Sequence, residues 1–385
     1  MTAETSIGTV GRKRQRRQTL LMEGVAVVAI ALLLIFAMPA LLSGFRLNLL
    51  GRFLALAIVA LGIDLIWGYT GLLSLGHGIF FALGGYALAM HLQLRTAEGL
   101  PDFFTLYGVE ELPWFWQPFH SFPFAVVAVI LVPSLVAGLF GYLVFRNRIR
   151  GVYFSILTQA ALLVFFNFFN GQQELINGTN GLKTDTTEIF GVTVGSSQGQ
   201  LVFYVLTVPL LIATYALCRW LTSGRFGRLL IALRDDESRV RFSGYNPTAF
   251  KTLVFAVSGG IAGVGGALYT VQSGIISPAA MEIAFSIEMV IWVAVGGRAT
   301  LIGGILGALV VNFAKTFLSD QYPEVWLFFL GALFLLVVTI LPEGVLGWLR
   351  SQGVKQMLGK SKKVSTYSSL EQNPEEERER ENTEN

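Results

Sequence analysis

A serine and a histidine stand three residues apart, Ser74 and His77, inside the apolar stretch "GYTGLLSLGHGIFFALGGY" that runs from Gly68 to Tyr86. On a helix that spacing puts both on one face, and a hydroxyl beside an imidazole is the minimum for an activated nucleophile. The sharp form of that chemistry is an intramembrane serine hydrolase. The flanks argue against it. Ser74 lies between Leu73 and Leu75 rather than in G-x-S-x-G, and the other histidines, His91 and His120, sit near or beyond the outer end of the same apolar run. The competing reading makes both side chains polar groups of a helix bundle, knitting helices or lining a path. Asp64, Glu282 and Glu288 are carboxylates in or beside apolar runs, and such residues are functional candidates by default. No metal chemistry is indicated, since H-E-x-x-H and Cys/His clusters are lacking, and no G-x-x-x-x-G-K-[ST] marks an ATP site.

The elements that must position these groups follow from composition. Hydrophobic residues make up 53% of the 385 residues and charged residues 14%, against about a quarter charged in soluble domains. Such a chain cannot cover itself with polar surface, so its solvent is lipid. The net charge of +3 does not suggest a nucleic-acid partner. The single Cys218 permits no intrachain disulfide. A membrane helix needs about 20 mostly apolar residues, and that rule predicts an all-α polytopic membrane protein of about ten transmembrane helices. Their runs begin at Leu20–Leu42 and end at Val325–Leu349. Leu72–Leu94 carries Ser74 and His77, and the short Phe285–Val295 reads as re-entrant or broken.

Charge orients the chain. "GRKRQRR" (Gly11–Arg17), "RNRIRG" (Arg146–Gly151) and the basic loop 223–249 belong inside by the positive-inside rule, which places both termini in the cytoplasm. Residues 1–19 are then a basic cytoplasmic segment and 20–349 the membrane domain. Residues 350–385, which end "NPEEERERENTEN", carry too few apolar side chains to order themselves. The outer loops are 95–121, where prolines and tryptophans suit the headgroup belt, and 171–200. In the latter "INGTNGL" predicts tight turns with positive φ, and "EIFGVTVGSSQGQ" a short hairpin. The cytoplasmic loop "FGRLLIALRDDESRVRFSGYNP" predicts a short amphipathic helix with a mixed-charge face, built to dock a partner. Gly68, Gly71, Gly76, Gly78 and Gly84, with Gly259, Gly263, Gly303 and Gly307, remove side chains where membrane helices approach closely.

Five stretches in order, "GYTGLLSLGHGIFFALGGY", "NGTNGL", the loop Gly227–Gly244, "SIEM" (Ser286–Met289) and "GGRATLIGGILGA" (Gly296–Ala308), are similar to the pattern of permease subunits of ATP-binding-cassette importers for branched-chain amino acids. The outer segment "LPWFWQPFHSFPFA" resembles that of the urea-importing branch. The resemblance implies alternating access in a bacterial plasma membrane. Its partners are a homologous second permease, an external binding protein and two cytoplasmic ATPases that bind the ATP, so this chain needs no cofactor of its own. It assigns Gly227, Arg234, Asp235, Asp236, Glu237, Arg239 and Gly244 to the ATPase-coupling loop, although "IALRDDES" departs from the family's Glu-Ala-Ala. For urea, a small neutral solute, the path needs polar, mostly uncharged groups. The candidates are Asn167, Asn170, Asn312, Ser74 and His77, with Glu288 and Asp64 behind them. Branched-chain amino acids and short amides are the alternatives within the family. An ion-coupled secondary transporter is the alternative outside it, although no convincing internal repeat is present.

Overall fold

The computed structural model describes residues 27–340 other than 97, 98, 323 and 324, together with Gly344 and Leu346. The basic segment 1–19, the tail 350–385 and the far ends of the first and last apolar runs lie outside the described residues. The chain is mostly helical. Its principal helices are α1 (Val27–Leu41), α2 (Gly44–Thr70), α3 (His77–Thr96), α4 (Phe122–Arg146), α5 (Val152–Gly171) and α6 (Ser197–Ser223). After them come α7 (Arg225–Asp235), α8 (Glu237–Phe242), α9 (Pro247–Ser273), α10 (Ile283–Gly296), α11 (Leu301–Gln321) and α12 (Trp326–Ile340). Among the described residues six, namely α2, α4, α5, α6, α9 and α11, are long and apolar enough to cross a membrane. Helices α1 and α10 are shorter and apolar.

Two helices form the centre. α2 and α9 are buried along most of their length; α9 packs on α2, α3 and α4, and α2 also packs on α6 and α11. Glycines permit this closeness. A side chain at Gly84 of α3 would strike the backbone of Gly263 on α9, and one at Gly307 of α11 would strike the Trp292 carbonyl of α10. α4 and α5 turn Val126, Leu135, Leu139, Val164 and Phe168 outward, the apolar surface that lipid or a second subunit requires.

One sequence expectation is corrected here. The run Leu72–Leu94 predicts a helix from Leu72, but residues 71–76 are not helical and α3 starts at His77. Gly71 ends α2 in the left-handed region, φ 73°, with its N–H bonded to the Trp67 carbonyl, a conformation that glycine adopts without steric cost. Ser74 and His77 therefore do not share a helix face; a break in the helix brings them together.

The two ends of the bundle differ. At one end the tail of α9 meets the start of α2, where Asn48 and Arg52 donate to the Gln272 carbonyl at 2.8 and 3.1 Å. Strand β1 (Leu182–Lys183) pairs there antiparallel with β4 (Ile275–Ile276), and β2 (Glu188–Ile189) with β3 (Val192–Thr193). Asn177, Gly178 and Gly181 have positive φ. Loop 95–121 folds over this end through two short helical turns, Asp102–Leu106 and Gln117–His120, and Trp116 donates to the Leu175 carbonyl at 3.1 Å. The opposite end carries α7, α8, the turn 147–151 and the turn 297–300.

Candidate functional site

The helix break is sewn down by side chains. The Leu75 N–H donates to Thr158 Oγ1 at 3.0 Å, Ser155 Oγ donates to the Leu73 carbonyl at 2.7 Å, and the Gly78 N–H donates to Ser286 Oγ at 3.1 Å. The break thus joins α3 to α5 and α10. His77 adds α9, since its Nε2 lies 2.7 Å from Ser258 Oγ and its Nδ1 lies 2.9 Å from Ser74 Oγ. Ser258 Oγ donates its one hydrogen to the Gly62 carbonyl at 2.6 Å, so it accepts from His77, and Nε2 carries the proton. Nδ1 is then the acceptor for the Ser74 hydroxyl. The ring is neutral, buried, and edge-on to Phe80 and Phe255. Its far nitrogen faces a committed hydroxyl rather than a carboxylate, so nothing there stabilises the imidazolium that a nucleophile's base must form. The arrangement is a hydrogen-bonded rivet across five helices, α2 joining through the Gly62 carbonyl. Beside it a cleft of about 280 Å³ is lined by Ser74, Gly76, Phe80, Phe140, Thr158 and Phe165.

The other polar candidates are dispersed. Asp64, buried in α2, accepts from the Ala299 N–H at 2.7 Å, and the Tyr69 hydroxyl donates to the Ala299 carbonyl at 3.3 Å. Ala299 has φ 57°, unfavourable for an L side chain, and these two bonds hold it there. Asp64 thus fixes the turn between α10 and α11. A side chain at Gly68, one turn on, would strike Ala299. Asn312 is buried and donates to the Ala308 carbonyl of its own helix at 2.8 Å, while Asn167 is exposed and donates likewise to Leu163 at 2.8 Å. Asn170 is half-buried at the end of α5. None of the three amides meets the His77 cluster. Glu288 of α10 is buried, with one oxygen 2.7 Å from Lys315 Nζ of α11.

The segment after α6 is two helices, not one. Gly227 packs against the Thr222 carbonyl, and α7 buries Leu230 and Leu233. Asp236 breaks the helix because its carboxylate caps the next one, accepting from the Ser238 and Arg239 N–H groups at 2.9 and 3.2 Å, the usual use of Asp at a helix start. Arg234 reaches back to the bundle, donating to the Gly68 carbonyl of α2 at 2.9 Å, and also lies 3.3 Å from Asp235. Arg239 pairs with Asp236 at 3.0 Å, and Gly244 closes the segment at φ 84°.

Glu237 departs from the expected solvated face: it points inward. Its carboxylate lies 2.5 Å from Lys251 of α9, 3.1 Å from Arg150 and 3.1 Å from Arg241, with a side chain only 9% exposed. Burial pushes its carboxyl up, but the Lys251 hydrogen bond and charge, with Arg150 and Arg241, outweigh that and hold it below the ordinary glutamate range. Sequence reasoning missed Lys251, Arg150 and Ser258. A cation at the start of an apolar run was the available signal for Lys251; Ser258 carried none.

Comparison with known proteins agrees with this architecture. Residues 45–338 match the family model described as branched-chain amino acid transport system / permease component. The chain is 27% identical over 316 residues to the high-affinity branched-chain amino acid transport system permease protein LivM of Salmonella typhimurium, covering 77% of this chain and 68% of LivM. It is 24% identical to BraD of Pseudomonas aeruginosa, a permease protein of the same description, over 76% of this chain and 91% of BraD. It is 23% identical to the ribose import permease protein RbsC of Haemophilus influenzae, over 78% of this chain and 85% of RbsC. No solved structure matches the chain. With a family model spanning the bundle from α2 to α12, this multi-pass membrane protein belongs to the branched-chain amino acid transport system permease component family.

Proposed function

We propose that this chain is one of two homologous permease subunits of an ATP-driven importer in a bacterial plasma membrane, and that its solute is urea. The α7–α8 pair carries the reading. It is amphipathic, lies beyond the spans, and is tied to α2 through Arg234 and to α9 through Glu237. Yet it presents Phe242 with 92% of its surface exposed. A rigidly anchored segment that displays a bare aromatic is suited to receive movement from a soluble partner. Arg146, Arg148, Arg150, Arg225, Arg228 and Arg298 share its end of the bundle, which favours that end as cytoplasmic. Both termini are then cytoplasmic, the number of crossings is even, about ten by the apolar runs, and an external binding protein meets the opposite end. ATP binding belongs to two ATPase partners. Loop 223–249, with Gly227, Asp235, Asp236, Arg239 and Gly244, is their docking element.

Urea is supported by the resemblance of "LPWFWQPFHSFPFA" to the urea-importing branch. A second reading, branched-chain amino acids, is favoured by the names of LivM and BraD. Uptake by cells dependent on this system separates the two. Labelled urea should accumulate with no competition from excess leucine; loss of leucine uptake on deletion, with urea uptake intact, overturns urea in favour of the second reading.

A further inference from the structure

Two buried polar atoms on one face of α10 have no hydrogen-bond partner among the described residues: Glu288 Oε1 and Trp292 Nε1. They are four residues apart, so they are neighbours along the helix. One is an acceptor and the other a donor. An unpaired buried polar group destabilises a fold, and two of opposite kind side by side need an explanation. Both side chains are sealed, Glu288 at 2% and Trp292 at 0% exposure. Their surroundings are aromatic. Phe285 lies 6.3 Å from Trp292 and 5.2 Å from Phe81 of α3, and Phe81 lies 5.4 Å from Tyr269 of α9.

Resting on the importer reading above, we propose that Glu288 and Trp292 form a station that grips one amide edge of the passing solute. Oε1 accepts a solute N–H, and the indole N–H donates to the solute carbonyl. Charge decides the solute class. Lys315 holds the other Glu288 oxygen at 2.7 Å, so the carboxylate is already neutralised. The free oxygen keeps its acceptor strength without inviting a second cation. A neutral amide matches that balance, whereas the ammonium of an amino acid would have to displace Lys315. Sites built to hydrogen-bond a solute reject analogues that lack the bond far more strongly than apolar pockets reject a missing methylene. The station therefore selects by hydrogen bonds in a place where size alone would not.

The test uses the assembled transporter in proteoliposomes with its binding protein. Trp292→Phe keeps an aromatic side chain, though a smaller one, and deletes the donor, and should raise the KM for labelled urea about tenfold, the effect of one buried hydrogen bond. Glu288→Gln should do the same, because an amide nitrogen turned toward the solute offers a donor where an acceptor is needed. A direct reading does not depend on how these variants fold. In unsubstituted complex carrying 5-fluorotryptophan, the Trp292 resonance, assigned by Trp→Phe changes at the other tryptophans, should shift saturably with urea and not with leucine. An unmoved resonance, or an unchanged KM in Trp292→Phe, overturns the station and leaves the importer reading standing. A parent complex that carries leucine and not urea overturns the urea reading itself.

Discussion

Removing the Ser258 hydroxyl breaks two short bonds, to His77 and to the Gly62 carbonyl, while removing that of Ser74 breaks one short bond to His77 and a long one, 3.4 Å, from the Gly76 N–H. Ser258→Ala strands a buried imidazole N–H and should lower the stability of the purified complex by about 1–3 kcal/mol. Ser74→Ala should cost about 1 kcal/mol and retain partial uptake. Thermal unfolding of the two variants side by side checks the order, and equal losses would contradict the proton assignment. A nucleophile would behave differently: labelling of Ser74 by a fluorophosphonate probe would sink the rivet. The pairing of Ser74 with His77 was legible from their spacing, but its cause was not. Spacing suggested a helix face, whereas Gly71 stops α2 and a loop makes the contact. Ser258 was invisible, because it lies 181 residues from His77 and nothing in "AVSGG" marks it among the chain's serines.

At the scale of elements, α8 depends on one carboxylate. The Glu237 carboxyl is held below its ordinary value of 4.5, so its contribution to stability is complete above that value and disappears as pH falls through the lower folded one. Amide protection across residues 225–246, corrected for the intrinsic exchange rate, should therefore fall as the pH is lowered below 4.5. In Glu237→Gln that acid step should be missing; an identical step would assign it to another group. Phe242 predicts the converse. Being exposed, it contributes little to the fold, so Phe242→Asp should leave the subunit assembled in the membrane while substrate-stimulated ATP hydrolysis falls at least several-fold. Normal stimulation would contradict docking there. An amphipathic segment could be read from its apolar spacing. The inward turn of Glu237 could not, because two of the cations that draw it in, Arg150 and Lys251, come from other elements.

For the whole molecule the testable quantity is orientation. The only cysteine, Cys218, is buried, so the natural chain is close to blank toward an impermeant maleimide. Thr186→Cys, at the end that carries the strands, should be labelled in intact cells. Ser243→Cys, beside α8, should be labelled only after permeabilisation, and the reverse pattern would invert the molecule. Six spans among the described residues were legible as apolar runs because lipid demands their length. Where they stop short was not, since Ala299 is held by Asp64 and Tyr69, partners distant in sequence. One turn of α2 supplies several of those partners. Asp64 holds the turn at Ala299, Gly68 has no room for a side chain beside it, and the Gly68 carbonyl takes Arg234. These positions cannot drift independently through descent. A change at residue 64 frees Ala299 from its left-handed geometry, and a side chain at 68 displaces both neighbours at once. In an alignment of relatives, residues 64, 68, 234 and 299 should therefore vary as a block, with exchanges at one accompanied by exchanges at the others.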